Sequence, residues 1–562
     1  MTCRSQPCIA NWSVANSVGN RRRKRPILTT APGILRGGSG SDKMMRAGLI
    51  AVLALASLAV ASRAEAQAGY TNTHRKIIAM YVHQHWPYNH PYCARTWTIE
   101  DWRGYAGGLK QLGYNTIMIW PMLDIMPDPP SPSDLANLRK IARVIDMLHH
   151  EMDMRVYIAL CPNIISNSEE ARKSTFEKRH YFACEQLVNP ADPEAMKRML
   201  DRRRRLLEPL KQVDGISIID SDPGGYPGST IAEYVNLLGE HRKMLDTLRP
   251  GIELVYWMHA GWRGWSRLYE SAQFKLGTPD EYEETVERLV KLNPEPWSMA
   301  NGLEYAQKNG IADRVLSFNY GRIEGEPSFP MTNFTPENAY EGGSLPGPRG
   351  VMGNAQTHCC QLPNTFAFVR GALGKPVTDK DFVAFANRLI PGYGKRIVRA
   401  WKAMAGDDPK EMYAAADEIQ ATEALNPQPG PLKGLLFGSP KRFLNDMCRM
   451  LRLRASGEEF RRASDAGQDV RKPFEAYAGH YSAWQATHGF SGAQDLGRPA
   501  EALRRLHNPA IDACFADFKY DLDPLPGHPN TPLERVRAGF IHMESFSSRM
   551  GAAMRSALKE MR

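Results

Sequence analysis

Residues 215–258, GISIIDSDPGGYPGSTIAEYVNLLGEHRKMLDTLRPGIELVYWM, contain the pattern that decides the fold. A short apolar run, GISIID, is followed by a helical pattern in residues 229–248 and by a second apolar run in residues 252–258. Apolar runs of this length without polar alternation are typical of parallel strands that are covered on both faces. A strand, a helix and a second strand in this order predict one β-α-β unit of a parallel sheet.

The same alternation of short apolar runs and helical patterns begins near residue 75 and ends near residue 375. It predicts eight strands, in residues 76–82, 116–120, 155–161, 215–220, 252–258, 297–301, 314–320 and 350–356. The sixth of these has the weakest pattern. Eight such units in about 300 residues fit a closed (β/α)8 barrel, also called a TIM barrel.

Helical periodicity dominates the chain after Lys375. We therefore predict an α/β protein with a barrel in residues 70–375 and an all-α C-terminal domain in residues 376–562. The charge run Arg202–Arg205 lies at helical spacing and predicts a solvated helix face.

The charge balance is uneven along the chain. The 562 residues carry a formal net charge of +10, from 71 Lys and Arg against 61 Asp and Glu. Residues 1–66 hold ten basic and two acidic side chains, so +8 of the total lies there and +2 in the remaining chain. A nucleic-acid partner needs a basic surface on the folded body. We therefore predict no nucleic-acid binding.

The basic segment has the pattern of an export leader. After Met44, one arginine precedes an apolar run of 14 residues, Ala47–Val60, and small-residue cleavage sites follow near Ala66. This pattern is typical of a secretory signal peptide, and the run is short for a membrane span. We predict a signal peptide in residues 44–68, and residues 1–43 are disordered or precede the true start. The protein is then periplasmic or secreted, without stable membrane anchoring; a retained anchor is the alternative.

Seven cysteines lie beyond the leader, an odd number that leaves at least one thiol outside any intrachain disulfide. After export, one bridge is expected among Cys93, Cys161 and Cys184. The sequence contains no CxxC and no HExxH motif, so we predict no structural zinc.

Polar and aromatic side chains follow the carboxyl ends of the predicted strands. In a (β/α)8 barrel these ends meet on one face, where enzymes of this fold have their active sites. Aromatic rings stack on sugar rings, while carboxylates, amides and imidazoles hydrogen-bond to hydroxyl groups, so the mixture predicts a carbohydrate substrate. The candidate binding residues are His83, His85, Trp86, Trp120, Asn163, Trp257, His259, Tyr320, Asn354 and Gln356. Trp257, Trp262 and Trp265 are expected on a loop surface rather than in the core.

Four carboxylates are candidates for acid–base chemistry. Asp220 and Asp222 follow the fourth strand, and Glu324 and Glu326 follow the seventh. Alternate residues of a strand share a face, so Asp220 and Asp222 are both expected to point inward. Repulsion between them would raise one pKa and make a usable acid. We predict that Asp222 is the general acid tuned by Asp220, with Glu324 or Glu326 as nucleophile or base for glycoside cleavage.

Purely structural roles for these four carboxylates also stay open. Asp220 and Asp222 can close a turn before Pro223, and Glu324 and Glu326 can belong to a solvated loop.

Two other functions also stay open. One is a glycan-binding barrel without catalysis. The other is a metal-dependent hydrolase that uses His83, His85 and His259 as ligands. Hydrogen bonding to substrate hydroxyl groups is the simpler role for these three histidines, because it needs no further ligands. We therefore predict no metal and no cofactor.

Four segments carry a resemblance to exported bacterial glycoside hydrolases that spans roughly residues 75–405. They are GISIIDSDPGG, NYGRIEGEPSFP, GVMGNAQTHCCQLPNTFAF and LIPGYGKRIVRAW. The chain resembles the hexosaminidases of family 20, the O-GlcNAcase-like family 84 and the α-glucuronidases of family 67. This resemblance implies a (β/α)8 barrel with acid–base carboxylates after the fourth strand. Families 20 and 84 have adjacent acidic residues there and use the substrate's N-acetyl group as nucleophile; here Ser221 separates Asp220 from Asp222.

Overall fold

The computed structural model describes twelve ranges of the chain, and all structural statements below concern these residues. They are 76–85, 88–221, 224–226, 228–259, 261–263, 277–319, 347–354, 362–375, 377–423, 425–489, 499–517 and 549–561. The predicted leader and signal peptide therefore lie outside the described residues, and the proposals about export stay predictions.

Eight parallel strands form a closed barrel, which confirms the predicted fold class. The strands are β1 Ile77–His83, β2 Thr116–Trp120, β3 Arg155–Leu160, β4 Gly215–Ile219, β5 Glu253–Trp257, β6 Trp297–Ala300, β7 Val315–Asn319 and β8 Gly350–Asn354. Neighbours along the chain pair in order, and β8 closes the ring on β1. The weakly patterned sixth strand is present. This strand, β6, contains only four residues.

Helices cover the outer face of the barrel. They are α1 Ile99–Leu112, α2 Pro132–His150, α3 Pro193–Leu207, α4 Ile231–Leu248, α5 Pro279–Leu292, α6 Leu303–Lys308 and α7 Leu362–Ala372. Three of them begin with capping boxes, at Thr98, Ser131 and Thr230. Each box satisfies backbone N–H groups that the first helical turn cannot satisfy by itself.

Strand register decides which side chains enter the barrel. Tyr81 of β1 lies level with Asn354 of β8, and Ile219 of β4 lies level with Trp257 of β5. Paired residues of neighbouring parallel strands share a face, so these four side chains point inward and the residues between them point to the helices. Gly215 is needed at its position, because a Cβ there would lie 2.6 Å from the ring of Tyr157.

Part of the charged run on α3 is buried, which corrects the prediction of a solvated face. Arg202 and Arg203 are 7% and 3% exposed, while Arg204 and Arg205 are exposed. Arg203 donates to the carbonyl oxygens of Cys161 at 2.6 Å and Pro162 at 2.8 Å. These carbonyls lie just past the end of β3, and the hydrogen bonds to them offset much of the cost of burying the guanidinium.

The chain after β8 and α7 is helical. The helices are α8 Asp379–Leu389, α9 Gly394–Ala405, α10 Pro409–Glu423, α11 Pro440–Asp465, α12 Arg471–His488, α13 Pro499–Arg504 and α14 Pro509–Asp517, with a last helix in residues 549–560. A 3-10 turn, Lys433–Leu436, packs against α1 of the barrel. The two backbones touch there, since a Cβ on Gly104 would lie 3.1 Å from the Cα of Gly434. The boundary near residue 375 stays a prediction.

Among the described residues, no helix is both long and apolar enough to cross a membrane.

The expected disulfide is absent. No described bond joins Cys93, Cys161 and Cys184, and the Cys161 sulfur instead lies 3.1 Å from the Tyr181 hydroxyl. Burial raises the pKa of the Cys161 thiol well above its usual value, which favours the thiol form.

Candidate functional site

Eight of the fourteen predicted site residues lie among the described residues. These are His83, His85, Trp120, Asn163, Asp220, Trp257, His259 and Asn354. Six lie outside the described residues: Trp86, Asp222, Tyr320, Glu324, Glu326 and Gln356. The convergence of the four carboxylates is therefore not tested and stays a prediction.

Aromatic rings fill the barrel just below its C-terminal end. The Tyr81 ring lies 4.3 Å from His83 and 5.1 Å from Trp257, and Trp257 lies 4.6 Å from Phe318. Trp257 is only 1% exposed, so its predicted place on a loop surface is wrong. It is the last residue of β5, and the strand directs its indole into the barrel.

Trp262 also lies in the core rather than on a surface, and Trp265 lies outside the described residues. Its indole stacks on the ring of Tyr234 from α4, with centroids 4.7 Å apart, and donates to the Ser229 hydroxyl at 3.0 Å. The sequence could not separate a surface tryptophan from one that anchors a loop, because both follow the same glycine-rich pattern.

A second ring cluster lies between the ends of β1 and β3. His83 and His85 lie 5.3 Å and 5.4 Å from Trp120, and Tyr181 lies 5.0 Å from His85. Tyr181 was not predicted, because it belongs to a four-residue helix between β3 and α3 rather than to a strand end. Asn354, at the end of β8, is 2% exposed and lies level with Tyr81 inside the barrel.

His85 is neutral at physiological pH. Burial lowers its pKa well below the usual value, and the neighbouring His83 and Arg95 lower the pKa further. A neutral imidazole has one donor and one acceptor, which suits a hydroxyl group of a ligand. Arg95 donates to the carbonyl oxygens of Gln84 and His85 and thereby fixes the backbone that carries this ring.

A buried ion pair supports this cluster from below. Asp124 pairs with Arg203 at 3.1 Å and accepts from the Trp120 indole at 3.4 Å. Both charged groups are almost fully buried. Burial raises the pKa of the Asp124 carboxyl, although Arg203 acts in the opposite direction. The pair therefore orients Trp120 and ties β2 to β3.

Asn163 is engaged by the backbone rather than available to a substrate, which corrects its predicted role. Its amide nitrogen donates to the carbonyls of Val188 at 2.9 Å and Gly225 at 2.8 Å. Its amide oxygen accepts from the Gly225 N–H at 3.1 Å. Asn163 is fully buried and anchors the segment that follows β4, the segment to which Asp222 belongs.

Asp220 points to the helices and not into the barrel, so its predicted inward orientation is wrong. It follows Ile219, whose side chain points inward, and alternation along the strand reverses the direction. Its carboxylate accepts from the Tyr256 hydroxyl at 3.3 Å and from the His259 N–H at 3.1 Å. Tyr256 also faces outward, toward Tyr234 of α4.

The Asp220 carboxyl has an unusual affinity for a proton. Burial raises its pKa to about 7, and the opposing effects of His259 and backbone N–H groups are smaller. The carboxyl is therefore partly protonated near neutral pH. Because it holds the backbone of the β5 loop, it is a positioning residue for His259 and not an acid that faces the barrel mouth.

His259 is half-buried at the start of the β5 loop. Its carbonyl accepts from the Tyr282 hydroxyl at 3.3 Å, so both its N–H and its carbonyl are fixed. Within the described ranges, no group of three His, Cys, Asp or Glu residues is arranged to hold a metal ion, and His83, His85 and His259 do not form one.

Comparisons with known proteins give distant likenesses in structure alone. No protein-family model matches the sequence, and no curated protein matches it. An O-GlcNAc hydrolase mutant from Thermobaculum terrenum is similar with a TM-score of 0.42 at 10% identity, over 79% of this chain and 97% of that chain. GH5_18 from Streptomyces cattleya, in complex with GlcNAc, has a TM-score of 0.27 at 13% identity, over 54% of this chain and 83% of its own.

A protein of another class is equally similar. A putative dihydrodipicolinate synthetase from Pseudomonas aeruginosa has a TM-score of 0.27 at 13% identity, over 67% of this chain and all of its own. Likenesses at this level leave the function to be argued from the chain's own residues.

Proposed function

We propose that this protein is a glycoside hydrolase that cleaves O-glycosidic bonds with carboxylates at the C-terminal face of the barrel. One observation carries the proposal: β4 and β7 are parallel strands of one closed barrel. The segments with Asp222 and with Glu324 and Glu326 follow these strands directly and therefore start at the same face. That face is also where the ring cluster of His83, His85 and Trp120 lies.

The roles of the carboxylates follow from the chemistry of glycoside cleavage, which needs one acid for the leaving oxygen and a second carboxylate as nucleophile or base. Asp222 is proposed as the acid, and Glu324 or Glu326 as its counterpart. Asp220 takes no direct part, because its carboxyl lies on the helix side of β4. It supports the site by fixing the backbone at His259.

The described rings lie at the C-terminal end of the barrel, beneath the proposed sugar site. An indole has an apolar face, and a neutral imidazole has one donor and one acceptor, so both ring types are suited to a carbohydrate site. Trp120, His85 and Tyr181 form a continuous group of buried rings at the ends of β1 and β2. We propose that this group forms the floor beneath the sugar, and glycoside cleavage by carboxylates needs no cofactor.

Export is part of the proposal. The segment after Met44 has the composition of a signal peptide, and the mature protein would work in the periplasm or outside the cell. Expression of a fusion to a reporter that is active only outside the cytoplasm tests this separately from the catalytic proposal.

The mature chain should be tested on a panel of nitrophenyl glycosides. We expect hydrolysis of at least one, and a loss of about 10²–10⁴-fold in kcat for Asp222→Asn, the range that a general acid supplies. Asp201→Asn is the control, because this carboxylate lies on the exposed surface of α3, 2.9 Å from Lys197. Near-normal rates for Asp222→Asn, with unchanged thermal melting, would reject the assignment.

Two other results would redirect the proposal. A chain that binds glycans and cleaves none of the panel would be a glycan-binding barrel. A chain whose activity is lost with a chelator and restored by zinc would be a metal-dependent hydrolase.

A further inference from the structure

The C-terminal end of α12 meets the loop that connects β1 to α1. Three backbone carbonyls of the last helical turn, those of Ala486, Thr487 and His488, accept hydrogen bonds from a single residue of this loop, Asn89. Its amide nitrogen donates to Ala486 at 3.3 Å and to Thr487 at 3.2 Å, and its backbone N–H donates to His488 at 2.9 Å. The last carbonyls of a helix have no partner within the helix. Asn89 therefore caps α12 from the barrel.

Aromatic contacts reinforce this junction. The His488 ring lies 4.5 Å from both Tyr88 and Tyr92 of the loop, and Tyr92 also contacts Trp484 at 5.8 Å. The Tyr92 hydroxyl donates to the carboxylate of Asp446 on α11. Two helices of the C-terminal region thus hold one loop of the barrel.

The loop is also held on its barrel side. Arg95 donates to the carbonyls of Gln84 and His85, and Gln84 accepts from the Asn137 amide at 3.1 Å. His85 lies between these two anchors. Its ring belongs to the cluster with Trp120 and Tyr181, so displacement of the loop displaces a wall of the candidate site.

We propose that the C-terminal helical region is a positioning element of the active site: the end of α12 fixes the β1–α1 loop and thereby sets the place of His85. The functional part of this inference rests on the proposed glycosidase site. Asn89 acts through the loop and is a positioning residue.

The test removes the cap from each side of the junction. Asn89→Asp keeps the size of the side chain but removes both amide donors and adds a negative charge at a helix C-terminus, which is unfavourable. Gly489→Ala acts from the helix: Gly489 has a φ of +87°, and a Cβ there would lie 2.8 Å from the Asn89 side chain.

Each variant has a matched control. Asn309→Asp removes a similar amide bond, from Asn309 to the Tyr305 carbonyl at 2.9 Å, at the end of α6. Gly467→Ala introduces the same backbone strain, at a φ of +63°, where a Cβ meets nothing within 4 Å.

Hydrogen exchange of peptides that cover residues 84–93 is measured on the full mature chain. We expect exchange about tenfold faster in Asn89→Asp and Gly489→Ala than in the controls, because two hydrogen bonds of ordinary strength are lost. We also expect KM for the best glycoside to rise about three- to tenfold, with kcat within about twofold, because His85 is a binding group.

Unchanged exchange in residues 84–93 for both variants would overturn the inference, as would a loosened loop with unchanged KM. A wild-type chain that cleaves no glycoside would count against the proposed function instead. The hydrogen-exchange data would then still test whether the end of α12 fixes the β1–α1 loop.

Discussion

The two ends of the barrel differ in how their polar groups are satisfied. At the N-terminal end, Glu253 accepts from Tyr157 at 2.8 Å and pairs with Arg349 at 2.5 Å, so charge and hydrogen bonds are balanced inside one cluster. At the C-terminal end the inward groups are mainly neutral rings, such as His85 and Trp120. The charged cluster is typical of the stabilising end of this fold, and we propose that the end with neutral rings is the one that contacts the ligand.

The largest expected effect comes from breaking the N-terminal cluster. Glu253→Gln leaves the Arg349 guanidinium, which is 23% exposed, without its counter-charge, and loss of one partner of such a largely buried pair costs about 3 kcal/mol in the free energy of unfolding. The kcat should stay within about twofold, because the cluster lies at the opposite end from the candidate site. Urea denaturation and steady-state kinetics measure both.

An exposed ion pair provides the comparison for that variant. Asp128→Asn removes the partner of Arg205, and both side chains are about half exposed. We expect less than about 1 kcal/mol from it. A cost for Glu253→Gln as small as this would show that the N-terminal cluster does not hold the barrel together.

The second expected effect is a pH dependence of the free energy of unfolding, caused by Asp220 at the C-terminal end of the barrel. Burial raises the pKa of the Asp220 carboxyl to about 7 in the folded protein, from its ordinary value of 3.8. The folded protein therefore holds this proton more tightly than the unfolded chain does. The resulting gain in the free energy of unfolding is complete below about pH 4 and is lost as the pH rises to about 7. Relative to Asp220→Asn, the wild type should lose about 1 kcal/mol of unfolding free energy per pH unit in this window.

Thermal or urea unfolding of both proteins at pH 4.5, 6 and 8 measures this difference. If the unfolding free energies of the two proteins changed with pH in the same way, Asp220 would be ionised throughout, and its pKa would not be raised by burial. Asp214→Asn is a useful control, because this carboxylate is part-exposed at the other end of β4 and bonds to His149 at 2.9 Å.

A smaller effect than that of Glu253→Gln is expected at Asn163, which joins the end of β3 to the segment after β4. Asn163→Ala removes three hydrogen bonds to the backbone and should cost about 2 kcal/mol in stability. Because the released segment includes Asp222, kcat should fall together with stability. A variant that loses stability but keeps full kcat would show that Asn163 supports the fold alone.

Much of the barrel could be predicted, because the periodicity of apolar residues along the chain indicates strands and helices. GISIID and IELVYWM are mostly apolar and show no regular polar alternation, which is the pattern of a strand buried on both faces. The candidate site was predicted less well. His85, Trp120 and Asn354 lie at the C-terminal ends of β1, β2 and β8, and their binding roles stay predictions. Asn163 and Trp257 have other roles, and Tyr181 was missed because it lies in a short helix rather than at a predicted strand end.

The sequence by itself determined the order and direction of the eight strands and the helical nature of the chain after them. Local patterns of apolar residues suffice for that, since they depend on neighbours along the chain. Only the tertiary structure decided that Asp220 turns toward α4, that Arg203 is buried beneath the ends of β2 and β3, and that Asn89 caps α12. These depend on strand register and on contacts between residues up to several hundred positions apart, which no local pattern encodes.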